Sequence, residues 1–237
     1  MKEYFIILIT FNIIGNFDEA TIRPLIEQYI ASLPSQKKIV KGKDVSTDFK
    51  GTVINNFRHK AETPKAIGVM VWNSKKLPYT LENSIQASMA GQILSMEYLK
   101  KIREDASAAY TVSSSASMSR DDFGTEATIY AYCPMKPEKA DTALMIMRAE
   151  VEALTKGCDP DKLQKVKEYM LKNHGDQLKQ NGYWMGRINT WRKYGLDFHT
   201  DFEKVVNAQT PESIAAFVKK VVAAGNRAEV VMLPTEE

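Results

Sequence analysis

At 237 residues the chain has room for one large domain or two small ones, and its 44% apolar and 26% charged residues are those of a globular protein, which excludes global disorder. Acids nearly match bases, for a formal charge of +3. That bias is too small to call for nucleic acid or an anionic membrane surface as a partner. The two cysteines, Cys133 and Cys158, exclude a disulfide framework and a four-cysteine zinc site, leaving one disulfide or two buried thiols.

In chain order, Tyr4–Ile14 is rich in β-branched and aromatic residues and reads as a buried strand. Lys2 ahead of an apolar run also has the look of a short signal peptide. Against that, Asn12 interrupts the run, no small-x-small cleavage site follows, and GNFD leads into a helix. The run is also shorter than the ~20 residues a membrane span needs. Asp18 is placed to cap a helix that ends near Ser32, stopped by Leu33-Pro34. QKKIVKGKD reads as a solvated loop; without interleaved aromatics it is a poor nucleic-acid patch.

Gly51–Phe57 and Lys65–Trp72 follow as strands. Leu81–Arg103 carries Ile85, Met89, Ile93, Met96 and Leu99 at steps of three and four, one apolar face of a long helix. The methionines on it are core filling rather than metal ligands. Tyr110–Met118 and Thr125–Cys133 form a hairpin about SRDDFG.

From Pro137 the pattern is helical. Pro137 and Pro160 suit first helical positions and Gly157 a C-terminal cap. The helix from Pro160 extends to about Gln180, where Asn181-Gly182 breaks it. Tyr183–Tyr194, a short segment near Phe202 and Pro211–Ala223 are further helices, and Arg227–Leu233 is a closing strand. Strands gather first and helices later, which indicates an α+β fold with a mainly antiparallel sheet packed against several helices. No short repeat or linker divides residues 1–237, so a single domain is expected.

Catalytic motifs are sparse. The histidines are His59, His174 and His199. His59-Lys-Ala-Glu62 has the first half of an H-x-x-E-H pattern, but position 63 is Thr and the segment is not helical. A zinc site of that type needs two imidazoles one helical turn apart. His174 lies within a charged helix and reads as solvated or internally satisfied; His199 reads as lying near a helix start. No G-x-S-x-G, Walker loop, G-x-G-x-x-G or inverted H-x-x-E-H occurs.

Four segments in order carry a family resemblance: NIIGNFDEATIRPLIEQYIASLP (Asn12–Pro34), KIREDASAAYTVSSSAS (Lys101–Ser117), AYCPMKPEKAD (Ala131–Asp141) and the run from Asn181 to Val222. Together they resemble the C-terminal half of the pitrilysin/insulinase family of zinc metallopeptidases. The resemblance implies repeated α+β domains in two halves that close around a peptide. Zinc is held by an inverted H-x-x-E-H in the N-terminal half, and this chain supplies none of that motif. It also implies an N-terminal half or homologous subunit as partner, an extended peptide held through backbone hydrogen bonds in the manner of strand addition, and, from bacterial relatives, a periplasmic setting. The isolated chain is then expected to be inactive.

By the same resemblance Arg103 and Tyr110, spaced R-x6-Y, hold substrate backbone and stabilise the developing oxyanion. Guanidinium and phenol are both donors, so the chemistry is sound. On spacing alone, the arginine also suits a helix C-terminus and the tyrosine ordinary strand packing. The family often has glycine three residues before the tyrosine; here the position is Ser107. Tyr183, Trp184 and Trp191 match a family aromatic stretch and are expected to pack in the core or against another domain rather than catalyse. A non-catalytic structural or assembly subunit of the same superfamily is the alternative.

Overall fold

The computed structural model describes residues 6–7, 10–33, 35–36, 42–60 and 64–235. The chain runs β1 (Ile6–Ile7), α1 (Glu19–Ile26) with a π-helical turn Glu27–Ala31, β2 (Ser35–Gln36), β3 (Thr52–His59) and β4 (Ala66–Ser74). Next come α2 (Leu81–Tyr98) with a π-helical extension Leu99–Asp105, β5 (Ser113–Arg120) and β6 (Thr125–Met135). A 3-10 turn Pro137–Lys139 leads into α3 (Ala140–Leu154), followed by α4 (Pro160–Gln177), α5 (Asn181–Tyr194), α6 (Phe202–Ala208), α7 (Pro211–Val222) and β7 (Asn226–Pro234).

Five strands form one sheet in the order β3-β7-β4-β6-β5. β3 runs parallel to β7 and every other pair is antiparallel. Alternation sets the faces: Met70 and Trp72 on β4, and Ala127, Ile129, Ala131, Cys133 and Met135 on β6, point into the core. Helices α2, α3 and α7 contribute Ile93, Tyr98, Met147, Val151, Phe217 and Val221 to that same core. The result is an α+β architecture with a mixed but mainly antiparallel sheet.

α2 holds the molecule together. Its Gly91 sits so close to β5 that an added Cβ would lie 2.4 Å from the Ala116 nitrogen and 2.8 Å from the Ser115 carbonyl carbon. One turn on, Ser95 Oγ donates to the Ser114 carbonyl at 2.7 Å and accepts from the Ser114 N–H at 2.8 Å. α2 therefore covers the outer edge of β5 and satisfies backbone groups that would otherwise be left open. At the opposite edge every residue of β3 is exposed.

Glu229, on β7, is 1% exposed and is the most deeply buried charge of this core. Arg148 on α3 grips its carboxylate with three contacts of 2.7–3.1 Å. Arg227 Nε approaches to 2.8 Å, at an angle that leaves it an ion pair rather than a hydrogen bond. The Arg148 hydrogen bonds outweigh desolvation and hold the carboxyl below its ordinary range. Cys133 and Cys158 are free thiols, so neither forms the disulfide left open by composition; burial pushes each up to about 11.

Several expected boundaries shift. Of the strand expected at Tyr4–Ile14, only Ile6–Ile7 is a strand among the described residues; residues 1–5 and 8–9 lie outside them. Phe11 and Ile13, beyond β1, are exposed; among the described residues β1 pairs with the two-residue β2. Asp18 does cap α1, accepting from Thr21 N at 2.8 Å. Asn181-Gly182 does not break a helix: α4 stops at Gln177, and Asn181 opens α5 after an extended Gln180.

Because the atoms nearest Gly91 are backbone and cannot rotate away, Gly91→Ala must push α2 off β5. Overpacking of this kind costs about 1–3 kcal/mol, and the loss of the Ser95–Ser114 pair puts the expected value at the upper end. Urea unfolding of the variant against the parent chain measures it.

Candidate functional site

The connection between α2 and β5 carries both residues singled out by the resemblance. Regular α geometry ends at Tyr98. The backbone then widens, with Ala106 N donating to Lys101 O at 3.1 Å and Ala108 N to Ile102 O at 2.8 Å. A π-helical turn inserts residues into a helix end and is frequent at functional sites. It rotates the buried face: Leu94, Tyr98 and Ile102 are buried, while Leu99, expected on the apolar face, is exposed. Arg103 follows buried Ile102 and points its exposed side chain outward from this turn.

Tyr110 also sits on an irregular step. Ala109 bridges Met135, and the regular ladder resumes with Ser113 opposite Tyr132. The chain advances four residues (109 to 113) while β6 advances three (135 to 132), which is a bulge of one residue. The strand expected from Tyr110 therefore begins at Ser113. Displaced from the ladder, Tyr110 is 87% exposed.

Between them the connection is pinned. Ala108 and Ala109 are buried, and Lys136 N donates to Ala108 O at 2.9 Å. Ser107 has φ +50°, the sole non-glycine residue with positive φ among the described residues. This is the position where the resembling family often has glycine, and the left-handed backbone explains why. Lys101 beside Arg103 is engaged: its Nζ lies 2.6 Å from Glu150, and Glu97 is bridged by Lys162 at 2.6 Å. These pairs tie the end of α2 to α3 and α4.

Arg103 and Tyr110 have no hydrogen-bond or ion-pair partner among the described residues. Both side chains are hydrogen-bond donors, and both are open to solvent. Neither lines any of five crevices of about 270–550 Å³.

The histidines do not assemble a metal centre. His59 is an exposed residue of β3, and Glu62 of the partial motif lies outside the described residues. Among the described residues no three His, Cys, Asp or Glu side chains are grouped to hold an ion. His174 departs from expectation. It is neither solvated nor satisfied, but 3% exposed, with its Nδ1 unpartnered. Its ring stacks on Phe202 at 4.2 Å and meets Tyr183 edge-on at 5.5 Å. His199 lies just before α6, as expected, with Nδ1 2.8 Å from the Tyr183 hydroxyl. Tyr183 and Trp184 do pack in this cluster, whereas Trp191 is exposed. Helical periodicity alone could not have found the cluster, because Phe202 and His199 come from another segment.

The sequence matches the model of the peptidase M16 inactive domain over residues 8–170, and the chain belongs to that family. It is an M16-type C-terminal domain, of the pitrilysin/insulinase kind expected from sequence. No curated protein matches it. Among solved structures it is similar to the ferredoxin protease FusC, crystallised in complex with Arabidopsis ferredoxin, with 19% identity and TM-score 0.75 over 94% of this chain and 24% of that one. The periplasmic protease PqqL from Escherichia coli gives 22% and 0.72 over 93% and 25%. A peptidase M16 inactive domain from Pseudomonas fluorescens gives 16% and 0.71 over 93% and 52%. The chain thus spans about a quarter of the first two and about half of the third. At these identities the likeness shows a shared fold. No helix among the described residues is long and apolar enough to cross a membrane.

Two measurements probe this region. A left-handed serine costs about 1–2 kcal/mol relative to ordinary backbone, part of which glycine returns as unfolded-chain entropy. Ser107→Gly is therefore expected to raise stability by up to about 1 kcal/mol in urea unfolding, and Ser107→Val to lower it. Burial, the largest influence on His174, depresses its affinity for protons below the ordinary value of 6.5. The unfolded chain then binds more protons as pH falls below that value, so stability drops. Melting temperatures recorded between pH 7.5 and 5 should decline, and His174→Phe should decline less.

Proposed function

We propose that this chain is the C-terminal, substrate-holding domain of a zinc-dependent metalloendopeptidase, with hydrolysis assigned to zinc in an N-terminal half. In this reading residues 1–237 act as one domain. Arg103 and Tyr110 donate hydrogen bonds to the peptide backbone and to the oxyanion that develops on the scissile carbonyl. The observation that carries it is the pair of unpartnered donors standing on a π-helical turn and a strand bulge, both fixed by the buried Ala108–Ala109 segment. Such donors, already oriented, lose little on meeting a developing charge.

Support for a partner comes from the N-terminal unit. α1 and its π-helical extension bury no residue, and Leu25 and Tyr29 on them, with Leu33 just beyond, are exposed. Apolar side chains on a helix normally face another element. Phe11, Ile13 and Phe17, just ahead of α1, are exposed as well. We read this surface as the side turned to the N-terminal half. The extended peptide lies against the 103–110 connection rather than along β3. The open edge of β3 is three strand spacings from β6, about 14 Å.

The second reading is a non-catalytic structural or assembly subunit. It draws on the family's description as an inactive domain and on the absence of Arg103 and Tyr110 from those five crevices.

One experiment separates the two. The purified chain is mixed with the N-terminal half of its parent protein and assayed on a quenched-fluorescence peptide. Activity should appear in the mixture and not in the chain alone. Arg103→Ala and Tyr110→Phe should each lower kcat by about 10²-fold, the cost of one oxyanion donor, with assembly and melting temperature unchanged. Wild-type activity in both variants of a properly assembled mixture would assign the pair a structural role.

A further inference from the structure

A crevice of about 550 Å³ lies between α2, the C-terminal part of α4 and α5. It is built at the far end of α2 from Arg103. Its α2 wall runs from Leu81 to Gln92, 22 to 11 residues before Arg103, or about 33 to 16 Å along a helix. The volume falls within the range of about 300–1,000 Å³ typical of small-ligand sites.

Its chemistry is uneven in a telling way. Ile85 and Phe198 give it an apolar floor. Asn173 and Gln177, one turn apart on α4, bring two amide side chains with no partner among the described residues. Ser84 Oγ, in the α2 wall, has no hydrogen-bond partner either. Arg187 from α5 is the one cation of the lining, and no carboxylate joins it. Its guanidinium lies 4.9 Å from the centre of the Tyr183 ring and also interacts with the Tyr183 phenol, which together fix the side chain; only part of its five N–H donors is engaged there. The acid of the neighbouring segment, Asp197, accepts instead from His199 N, Thr200 N and the Thr200 hydroxyl.

A partly buried arginine without a counter-ion, held by stacking at the mouth of an apolar crevice, suits a carboxylate. The free amides beside it match the donors and acceptors of a peptide group, and the floor matches an apolar side chain. We infer that this crevice binds the C-terminal residue of a peptide ending in an apolar side chain, its free carboxylate paired with Arg187. Arg103 and Tyr110 play no part in this site, so the inference stands apart from the function proposed above.

The test uses the whole chain without any partner and measures no hydrolysis, so its failure leaves the Arg103–Tyr110 reading untouched. A fluorescein-labelled pentapeptide ending in Leu-Phe is titrated by anisotropy, as free acid and as C-terminal amide, with N-acetyl-phenylalanine as competitor. The free acid should bind at least tenfold more tightly than the amide. Arg187→Met should remove that difference, and Arg187→Lys should keep part of it. Ser88→Leu, which fills the crevice from α2 away from the Tyr183 stack, should weaken the acid without unfolding the chain, as read from its melting temperature. Competition by N-acetyl-phenylalanine as strong as that of the unlabelled peptide would reassign the site to small carboxylates and overturn the peptide assignment. Equal binding of acid and amide, unchanged binding by folded Arg187→Met, or no binding of the acid at millimolar chain would also overturn it.

Discussion

The close approach of α2 to the edge of β5 is the constraint on which the remaining geometry depends. A helix seldom runs alongside an unpaired strand edge, because the side chains of one obstruct the backbone of the other. Here Gly91 removes the obstruction and Ser95 supplies a donor and an acceptor to the backbone of Ser114. Everything C-terminal to that contact inherits its position. The π-helical turn, the left-handed Ser107 and the bridge from Ala109 to Met135 follow within a few residues. A shift of the helix along the strand would move Arg103 and Tyr110 relative to the sheet.

Charge plays a subordinate, bracing part. Lys101, Glu97, Glu150 and Lys162 join three helices near the end of α2. These groups remain partly hydrated, so their contribution is modest. The Glu229–Arg148 pair differs, because one partner is sealed in the sheet. Such a pair adds little over apolar packing when intact, but leaves an uncompensated charge when broken. Its value lies in fixing how α3 meets β7.

Much of this was legible beforehand where local chemistry decides. The Asp18 cap, the prolines opening α4 and α7, the hairpin about SRDDFG and the α+β class all rest on local signals that the fold leaves intact. The ordered resemblance led to the right family, and the Ser107 departure pointed to a backbone peculiarity that proved to be a positive φ. Features set by distant residues were not legible. Periodicity could not foresee the switch to a π-helical turn at Leu99, because steps of four such as Tyr98 and Ile102, both in the core, fit an uninterrupted α-helix equally well. Nor could it foresee the bulge at Tyr110, which depends on register with β6. His174 looked solvated because its neighbours in sequence are charged; its neighbours in space are aromatic.

The position of β7 bears on how the chain acquires its shape. β7, the seventh strand in chain order, is not an edge but a filling, slotted between β3 and β4, and among the described residues β3 touches the sheet through it alone. Until β7 emerges from the ribosome, β3 has nothing in that sheet to bind and β4 presents a bare flank. Closing this gap joins segments some 175 residues apart, as in Thr52 opposite Arg227, an entropically slow step. The nascent domain thus waits, half-made and adhesive along two strands, for β7, and vectorial synthesis leaves it dependent on whatever shields those strands in the meantime.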